Sequence, residues 1–389
     1  MEQFRHLRPL LRRFVDQGPP GCSLLVSQNG QVVFEDYVGY ADAEKQQPIA
    51  PDTIFRIFSM TKVVTCAAAL LLHERGLYLL NDPLEEYLPE FKNPLVYREQ
   101  QQGEWIATPA TQPIRVKDLF TMSSGLTYQG ANSETERRIN TLMNKLNEQA
   151  KNGQPFDNRT LSKGLAEIPL AFDPGTRWQY GLSHDVLGAF IEVLTGKTLA
   201  QFMQEEFFGP LQMRDTSFRI TEEKRHRLAA MYLRDEAGTL SPTDLFDTTY
   251  PEDYRYESGG AGLLSTLSDY ARFANMLALG GELDGVRIMN PRTIKLMAAN
   301  QLTSEQMNDY NWGYLAGYGY GLGVRTMMDP AAAGSGASVG EFGWSGLPGT
   351  WMMVDPKEKL TAVYMQQMLP NLEAVHQPRL RNVIYGALT

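Results

Sequence analysis

The chain of 389 residues is long enough to bury a substantial core, and its 43% hydrophobic and 21% charged residues are typical of a folded protein rather than a disordered one. Its formal net charge of −9 argues against nucleic acid as a partner, because phosphate binding requires a concentrated basic surface. No apolar run approaches the roughly 20 residues of a transmembrane helix, so we expect no membrane span.

The first predicted element is an amphipathic helix at the N-terminus. Apolar residues recur at helical spacing between residues 4 and 14, which predicts a surface helix packed on the body of the protein. This N-terminus lacks the apolar core and the small-residue cleavage site of a secretory signal. Cys22 and Cys66 lie far apart in apolar surroundings, which favours two buried free thiols over a disulfide. We therefore expect a cytoplasmic protein.

A β-hairpin and a long helix are predicted next. Two β-rich runs, residues 22–28 and 31–39, flank Asn29-Gly30, a turn sequence typical of hairpins. A largely buried helix follows over 61–75, and Gly76 ends it. Helical patterns then dominate up to about residue 285, at 116–122, 134–150, 184–194, 199–207 and 268–279. Residues 98–112 are polar and aperiodic, which predicts a surface loop.

Strand patterns return near the C-terminus, at 320–325, 340–344, 350–354 and 360–366, and a last helix is predicted near 379–388. This order predicts an α/β (α+β) fold with an antiparallel sheet flanked by helices. Residues 1–79 and 286–389 would form one domain built from both chain ends, and residues 80–285 a mostly helical inserted domain. The crevice between two such domains is a natural place for an active site.

Ser59 and Lys62 are the first candidates for chemistry. Three positions apart on a helix, the two side chains lie on one face. A serine in the first helical turn feels the positive end of the helix dipole, which favours the negative charge that develops during nucleophilic attack. A nearby ammonium also activates a hydroxyl or an auxiliary base. By itself the pair better fits an N-cap serine followed by a surface lysine.

Two further candidates come later in the chain. Tyr180 follows a Pro-Gly turn and precedes a predicted helix, so its phenol lies on a segment that can face a cleft. Trp344-Ser345-Gly346 lies on a late strand, where glycine lets another chain or a ligand approach the backbone. A packed tyrosine and a bulged structural strand are the corresponding structural interpretations.

Together the three motifs match one family pattern in order and spacing. The chain resembles the penicillin-recognising serine hydrolases, and more closely the class C β-lactamase-like esterases called family VIII carboxylesterases. Residues 116–126, 259–266, 269–273, 280–285 and 319–323 are also similar to segments of that family. The resemblance runs from about residue 20 to the end of the chain, and it implies the β-lactamase/transpeptidase-like fold.

The resemblance also implies roles for individual residues. Ser59 would be the nucleophile that carries the acyl group. Tyr180, held by Lys62, would be the general base that takes the serine proton and later passes it to the leaving group. The backbone N–H groups of Ser59 and Leu347 would form the oxyanion hole.

Two positions depart from the pattern of true β-lactamases and peptidases of this fold. Leu182 replaces an asparagine and Trp344 replaces a lysine, which removes a positive charge and makes the cleft apolar. An apolar cleft suits an ester better than a charged peptide. We therefore expect hydrolysis of small or short-chain carboxylic esters, with room for weak β-lactam hydrolysis. Trp344, Ser345, Gly346 and Leu182 would contact the substrate. Aromatic residues between 310 and 320 would either line the acyl pocket, which is slightly favoured, or simply pack against one another.

Other assignments compete with this one. An acyltransferase, a β-lactamase and a D-amino-acid peptidase of the same fold share the motifs, and a non-catalytic binding or scaffold protein is the alternative from another class. The absence of a Gly-x-Ser-x-Gly elbow argues against an α/β-hydrolase. His184 and Asp185 are adjacent but fit no known triad, and a helix-start role is favoured. None of the five histidines is spaced like a zinc-ligand pair, so we expect no metal and no cofactor.

Overall fold

The computed structural model describes residues 3–99, 105–247 and 250–388, and it combines short strands with helices of very different lengths. The strands are β1 (Gly21–Gln28), β2 (Gln31–Asp42), β3 (Gln47–Pro48), β4 (Ile54–Arg56), β5 (Leu95–Glu99), β6 (Trp105–Pro109), β7 (Met231–Arg234), β8 (Leu240–Thr243), β9 (Leu264–Thr266), β10 (Glu282–Leu283), β11 (Val286–Arg287), β12 (Tyr318–Tyr320), β13 (Arg325–Met327), β14 (Phe342–Ser345), β15 (Trp351–Asp355), β16 (Leu360–Gln366) and β17 (Met368–Leu369). The helices are α1 (Leu7–Gln17), α2 (Thr61–Glu74), α3 (Val116–Phe120), α4 (Glu134–Lys151), α5 (Asn158–Ala166), α6 (Ser183–Thr195), α7 (Leu199–Met203), α8 (Glu222–Arg225), α9 (Leu267–Ala278), α10 (Pro291–Ala298), α11 (Ser304–Asp309), α12 (Pro330–Ala333) and α13 (Glu373–Gly386). Short 3-10 turns cover Phe58–Met60, Leu84–Glu86, Pro89–Phe91 and Gly313–Leu315, and a π turn covers Gln204–Phe208.

An antiparallel eight-stranded sheet joins the two ends of the chain, in the order β12-β13-β14-β15-β16-β1-β2-β3. The predicted hairpin connects β1 and β2. Asn29 and Gly30 at its turn have φ angles of 53° and 75°, as a type I′ turn requires. The strand β1 pairs with the late strand β16, so the sheet forms only when the chain ends meet. The predicted antiparallel α/β fold is thus confirmed.

Helices cover both faces of this sheet. On one face, α1 and α13 pack against buried residues of β1, β15 and β16, including Leu24 and Trp351. On the other face, α9 packs against the same three strands, with the almost wholly buried α2 beside it. Because α9 comes from within residues 80–285, that segment also supplies a helix to the sheet. The proposed division into two domains therefore stays a prediction.

Three predicted elements differ in the structure. Residues 98–112, expected as a loop, contain most of the β5–β6 hairpin, although residues 100–104 lie outside the described range. The strand β6 is exposed along most of its length, so it has no apolar alternation that a sequence pattern could reveal. Residues 320–325, expected as one strand, form the turn between β12 and β13, where Gly323 has a φ of 85°. The last helix begins earlier than expected, at Glu373.

Within the described part of the chain, no single helix is long and apolar enough to cross a membrane. The bent pair Ser183–Thr195 and Leu199–Phe208, with 77° between its helices, satisfies the same test only by length and composition. Most of α6 is buried against the rest of the protein.

Candidate active site

Ser59 lies in the short 3-10 turn Phe58–Met60, which leads directly into α2. The preceding residue, Phe58, has a φ of 42°, a left-handed conformation that residues other than glycine seldom adopt. Such backbone strain persists only where the surrounding structure holds it, and it is concentrated at functional sites. The turn presents a half-buried serine at the start of the helix.

Lys62, one helical turn further on, is fully buried and uses all three protons of its ammonium. Its Nζ donates to Ser59 Oγ at 3.2 Å and to the Tyr128 hydroxyl at 2.9 Å. The third bond goes to the backbone carbonyl of Gly260, at 2.7 Å. Burial by itself lowers the pKa of Lys62, but the neighbouring phenols and the Asp185 carboxylate raise it, and the net result is a raised pKa. The ammonium form is therefore favoured.

Tyr180 meets Lys62 through its ring rather than its hydroxyl. The Lys62 Nζ lies 4.7 Å from the centroid of the Tyr180 ring, a cation–π contact. The Tyr180 hydroxyl accepts a hydrogen bond from Trp344 Nε1 at 2.8 Å. Within the described residues, no hydrogen bond joins the Tyr180 hydroxyl to Lys62 or Ser59. The expected arrangement, a phenol held directly by Lys62, is seen instead at Tyr128.

Tyr128 is the residue that the sequence analysis missed. It follows the segment 116–126 by two positions, and its half-buried ring packs edge-on against the ring of Tyr180, with 5.6 Å between the centroids. Burial raises the pKa of Tyr128 despite the nearby ammonium of Lys62. Nothing in the sequence pattern distinguishes this residue among the 18 tyrosines.

The late strand β14 brings its C-terminal end against the turn that carries Ser59. A Cβ on Gly346 would lie only 2.3 Å from the carbonyl oxygen of Ile57, so this approach requires glycine. The backbone N–H groups of Ser59 and Leu347 donate to no acceptor among the described residues. Both amides thus retain a donor for a ligand, as an oxyanion hole requires.

The other expected substrate contacts are mostly occupied or buried. Ser345 donates its hydroxyl to Glu373 Oε2 at 2.8 Å. Leu182 is 5% exposed and packs in the core at the start of α6. Trp344 is also buried, and its indole N–H remains a hydrogen-bond donor even though the residue brings no positive charge. Substrate contact by these residues stays a prediction.

Six stacked and edge-to-face aromatic side chains form what we call the aromatic wall. Its members are Trp178, Tyr180, Tyr310, Trp312, Tyr320 and Trp344. Tyr310 and Tyr320 are buried within it, and Trp312 lines a cavity of about 420 Å³ together with Trp178 and Tyr180. The aromatic residues between 310 and 320, expected to line an acyl pocket, therefore mainly pack against one another.

A larger cavity, of about 680 Å³, is lined by Phe58, the residue that precedes Ser59. Aromatic and aliphatic side chains such as Met143, Phe246 and Tyr254 line most of its surface. Ala261, which follows the residue whose carbonyl binds Lys62, also lines this cavity.

His184 takes no part in this arrangement as an acid or base. Its Nε2 lies 3.2 Å from the Phe120 carbonyl oxygen and 3.4 Å from Cys66 Sγ. Burial and the nearby charge of Lys62 lower the pKa of His184 to about 3, so the ring stays neutral. No group of three or more His, Cys, Asp or Glu side chains in the described ranges could hold a metal ion.

Comparisons with known proteins find similar sequences and a similar fold. The family model described as Beta-lactamase matches residues 7–384. Protein Rv1367c of Mycobacterium tuberculosis is 33% identical over 358 residues, which are 90% of this chain and 86% of that protein. Esterase EstB of Burkholderia gladioli is 30% identical over 353 residues, which are 86% of this chain and 82% of EstB. The solved structure of EstCE1, a hydrolase with promiscuous acyltransferase activity, superposes with a TM-score of 0.81, 24% identity and 99% coverage of both chains.

Proposed function

The chain belongs to the Beta-lactamase family of serine hydrolases, and on that premise we propose that it is an esterase that cleaves small carboxylic esters through an acyl-enzyme on Ser59. The family resemblance of the sequence is confirmed by these matches. The roles of single residues in the reaction are part of the proposal.

The observation that carries the proposal is the contact between Lys62 and Ser59. A fully buried ammonium donates to the serine oxygen at 3.2 Å, at the first turn of a helix. Burying a charge is costly unless it is well hydrogen-bonded, and here all three donors have acceptors. A structural lysine needs no such placement, whereas an activated nucleophile does.

In the proposed reaction, Ser59 Oγ attacks the ester carbonyl carbon and its proton passes to the oxygen of the Tyr180 phenolate. The carbonyl oxygen becomes an oxyanion, bound by the N–H groups of Ser59 and Leu347. The bond to the alcohol oxygen then breaks, and Tyr180 gives its proton to that oxygen. Water repeats the sequence on the acyl-enzyme and releases the acid and free Ser59.

Lys62 and Trp344 support the base in this scheme. The ammonium of Lys62 lies over the ring of Tyr180, and the indole N–H of Trp344 donates to the phenolic oxygen. Both contacts stabilise a negative phenolate more than a neutral phenol. Trp344 would thus stand in for the lysine of related peptidases by a donated hydrogen bond instead of a charge.

An ester is the substrate class that the site favours. The relative EstB is an esterase, and the large cavity beside Phe58 is lined mainly by apolar side chains. No lysine or asparagine stands at residues 344 and 182 to bind the carboxylate and amide of a β-lactam. Transfer of the acyl group to an alcohol is the second candidate, because the mainly apolar cavity beside Phe58 also suits the carbon chain of an alcohol, and EstCE1 has promiscuous acyltransferase activity. The two buried free thiols, Cys22 and Cys66, support our proposal of a cytoplasmic location.

Replacing Ser59 by alanine tests the proposal. Ser59→Ala should lower kcat/KM for p-nitrophenyl butyrate by at least about a thousandfold, because the nucleophile is lost. Ser162→Ala is the matched control: this buried serine of α5 donates its hydroxyl to Glu90, which is not a residue of the site, and its loss should leave turnover unchanged. Mass spectrometry of the wild-type protein with a slow ester should place the acyl adduct on Ser59. Wild-type turnover in Ser59→Ala would refute the mechanism.

A further inference from the structure

The carboxylate of Asp185 is a second buried charge next to the site, and it takes no part in the proposed reaction. Asp185 is 3% exposed and occupies the first turn of α6. No arginine or lysine among the described residues forms an ion pair with it. Its Oδ1 instead accepts hydrogen bonds from the Tyr256 hydroxyl and the Ser258 hydroxyl, both at 2.6 Å, and from the Gly260 N–H at 3.3 Å. A helix-start role explains neither this burial nor these partners, which all belong to a distant loop.

These partners lie on residues 256–263, which we call the glycine loop. In the fold this loop contacts both α2 and α6. From α2, Thr65 donates to the Gly259 carbonyl at 2.7 Å, and Thr61 accepts from the Leu263 N–H at 3.0 Å. Between these two contacts, Lys62 donates to the Gly260 carbonyl. The helix α2, which follows Ser59, and the helix α6, which carries Asp185, therefore both bind the glycine loop.

The approach of the loop to α6 requires glycine at two positions. A Cβ on Gly259 would lie 2.4 Å from the carbonyl oxygen of His184, and one on Gly260 would lie 2.5 Å from Asp185 Oδ2. Any other residue would push the loop away from the carboxylate. The Gly260 carbonyl, which orients Lys62, is thus placed by the hydrogen bond from the N–H of the same residue to Asp185.

We propose that Asp185 is a positioning residue of this enzyme: its carboxylate fixes the Gly260 carbonyl that aims Lys62 Nζ at Ser59, and it is the counter-charge of that buried ammonium. The inference rests on the proposed function, because the aim of Lys62 matters only if Ser59 is the nucleophile. Asp185 acts through the glycine loop and touches neither the substrate nor the reacting atoms.

The groups that face Lys62 support this assignment. They are the phenols of Tyr128 and Tyr180, the hydroxyl of Ser59, and, on α2 and α6, Cys66 and His184. Burial raises the pKa of the Cys66 thiol and lowers that of His184 to about 3, so both are neutral at pH 7. Asp185 is the carboxylate among the neighbours that raise the pKa of Lys62.

Asp185→Asn removes the charge and keeps the shape, and Asp269→Asn is its matched control. Asp269 is buried to a similar degree in the first turn of α9, where it accepts from the Asp215 N–H at 2.7 Å. With p-nitrophenyl butyrate, Asp185→Asn should lower kcat about tenfold to a hundredfold, the scale seen when supporting carboxylates are removed from active sites, and leave KM within about twofold. The control should change neither value.

The pH profile separates positioning from a merely structural role. The ammonium form of Lys62 is the active one, so activity falls as pH rises through its pKa. Asp185 helps to raise that pKa above its usual range, so kcat of the wild type should hold throughout the measurable alkaline range, and the loss of Asp185 should bring a fall of kcat at lower pH. In Asp269→Asn the alkaline limb should coincide with that of the wild type.

The outcomes distinguish this inference from the proposed function. If Asp185→Asn matches Asp269→Asn in kcat and in pH profile while Ser59→Ala remains inactive, the role of Asp185 is refuted and the esterase stands. If the wild type neither turns over the ester nor reacts at Ser59 with a fluorophosphonate probe, both are refuted. Should Asp185→Asn fail to fold, Tyr256→Phe replaces it, because this variant removes one donor to the carboxylate and keeps the charge. It should lower kcat severalfold without shifting the alkaline limb; unchanged kcat would refute the positioning role.

Discussion

The two sides of the site are built on different principles. On the side of α2, the Lys62 ammonium and the Asp185 carboxylate are buried, and each is held by three directional hydrogen bonds. On the opposite side, the aromatic wall is held mainly by ring packing, together with the hydrogen bond from the Trp344 N–H to the Tyr180 hydroxyl. Within the described residues, the Trp178 N–H and the hydroxyls of Tyr310 and Tyr320 have no hydrogen-bond partner there.

This difference suggests a division of tasks: the side of α2 serves the reaction, and the aromatic wall serves the binding of the substrate. Directional bonds fix atoms to within a few tenths of an ångström, which proton transfer needs, and removing one leaves a buried group unsatisfied. Ring packing tolerates changes of shape and loses free energy gradually. We therefore expect substitutions on the side of α2 to act on turnover, and substitutions in the aromatic wall to act on stability and substrate preference.

Tyr180 and Tyr128 lie where the two sides meet, and the largest change in kcat is expected at Tyr180. Tyr180→Phe should lower kcat by about a thousandfold, within the range for loss of a general base, because Trp344 and the Lys62 ammonium both prepare its oxygen for a negative charge. Tyr128→Phe should lower kcat only about tenfold, because it removes one acceptor of Lys62. The kcat of both variants is measured with p-nitrophenyl butyrate. If Tyr128→Phe lost more activity than Tyr180→Phe, Tyr128 would be the base.

The same contrast explains what the sequence could predict. Ser59 and Lys62 follow from a helical spacing and a family motif, since the chemistry requires those residue types at that distance. The hairpin at Asn29-Gly30 follows from a local turn preference, and it is confirmed. Asp185 had only a local helix-start interpretation, because its partners lie more than 70 positions away in sequence and have no spacing that marks them.

Tyr128 and the aromatic wall show the other limit of the sequence. Tyr128 reaches Lys62 across 66 positions, through a turn whose path depends on the packing of α3 against α6. Trp344 was expected to make the cleft apolar, and the direction of its N–H bond depends on the register of β14 against β13 and β15. The sequence gives the type of these residues, whereas the direction of their side chains depends on the tertiary fold.

Trp344 belongs to both sides, and replacing it by phenylalanine should have an intermediate effect. Trp344→Phe keeps a ring in the aromatic wall and removes the N–H that donates to the Tyr180 oxygen. Because a hydrogen bond to a charged group contributes about 1.5–3 kcal/mol, kcat should fall by roughly tenfold to a hundredfold. Trp351→Phe, a buried indole on the far face of the sheet, should leave kcat unchanged. Equal kcat values in the two variants would show that the indole N–H of Trp344 does not support the base.

Replacing Tyr310 should have the smallest effect, a change in the free energy of unfolding, and it tests whether ring packing alone holds this part of the aromatic wall. Its hydroxyl is buried among rings without a hydrogen-bond partner in the described residues, so Tyr310→Phe removes a polar group that gains nothing from its surroundings. The free energy of unfolding should stay the same or rise by up to about 1 kcal/mol, since an unsatisfied buried hydroxyl carries a desolvation cost. Tyr364→Phe is the matched control: its equally buried hydroxyl donates to Gln366 Oε1 at 2.9 Å, and its loss should cost about 1 kcal/mol. Urea unfolding of both variants measures these changes. A loss of more than about 1 kcal/mol in Tyr310→Phe would mean that directional bonds also hold the aromatic wall, and the two sides of the site would then follow one principle.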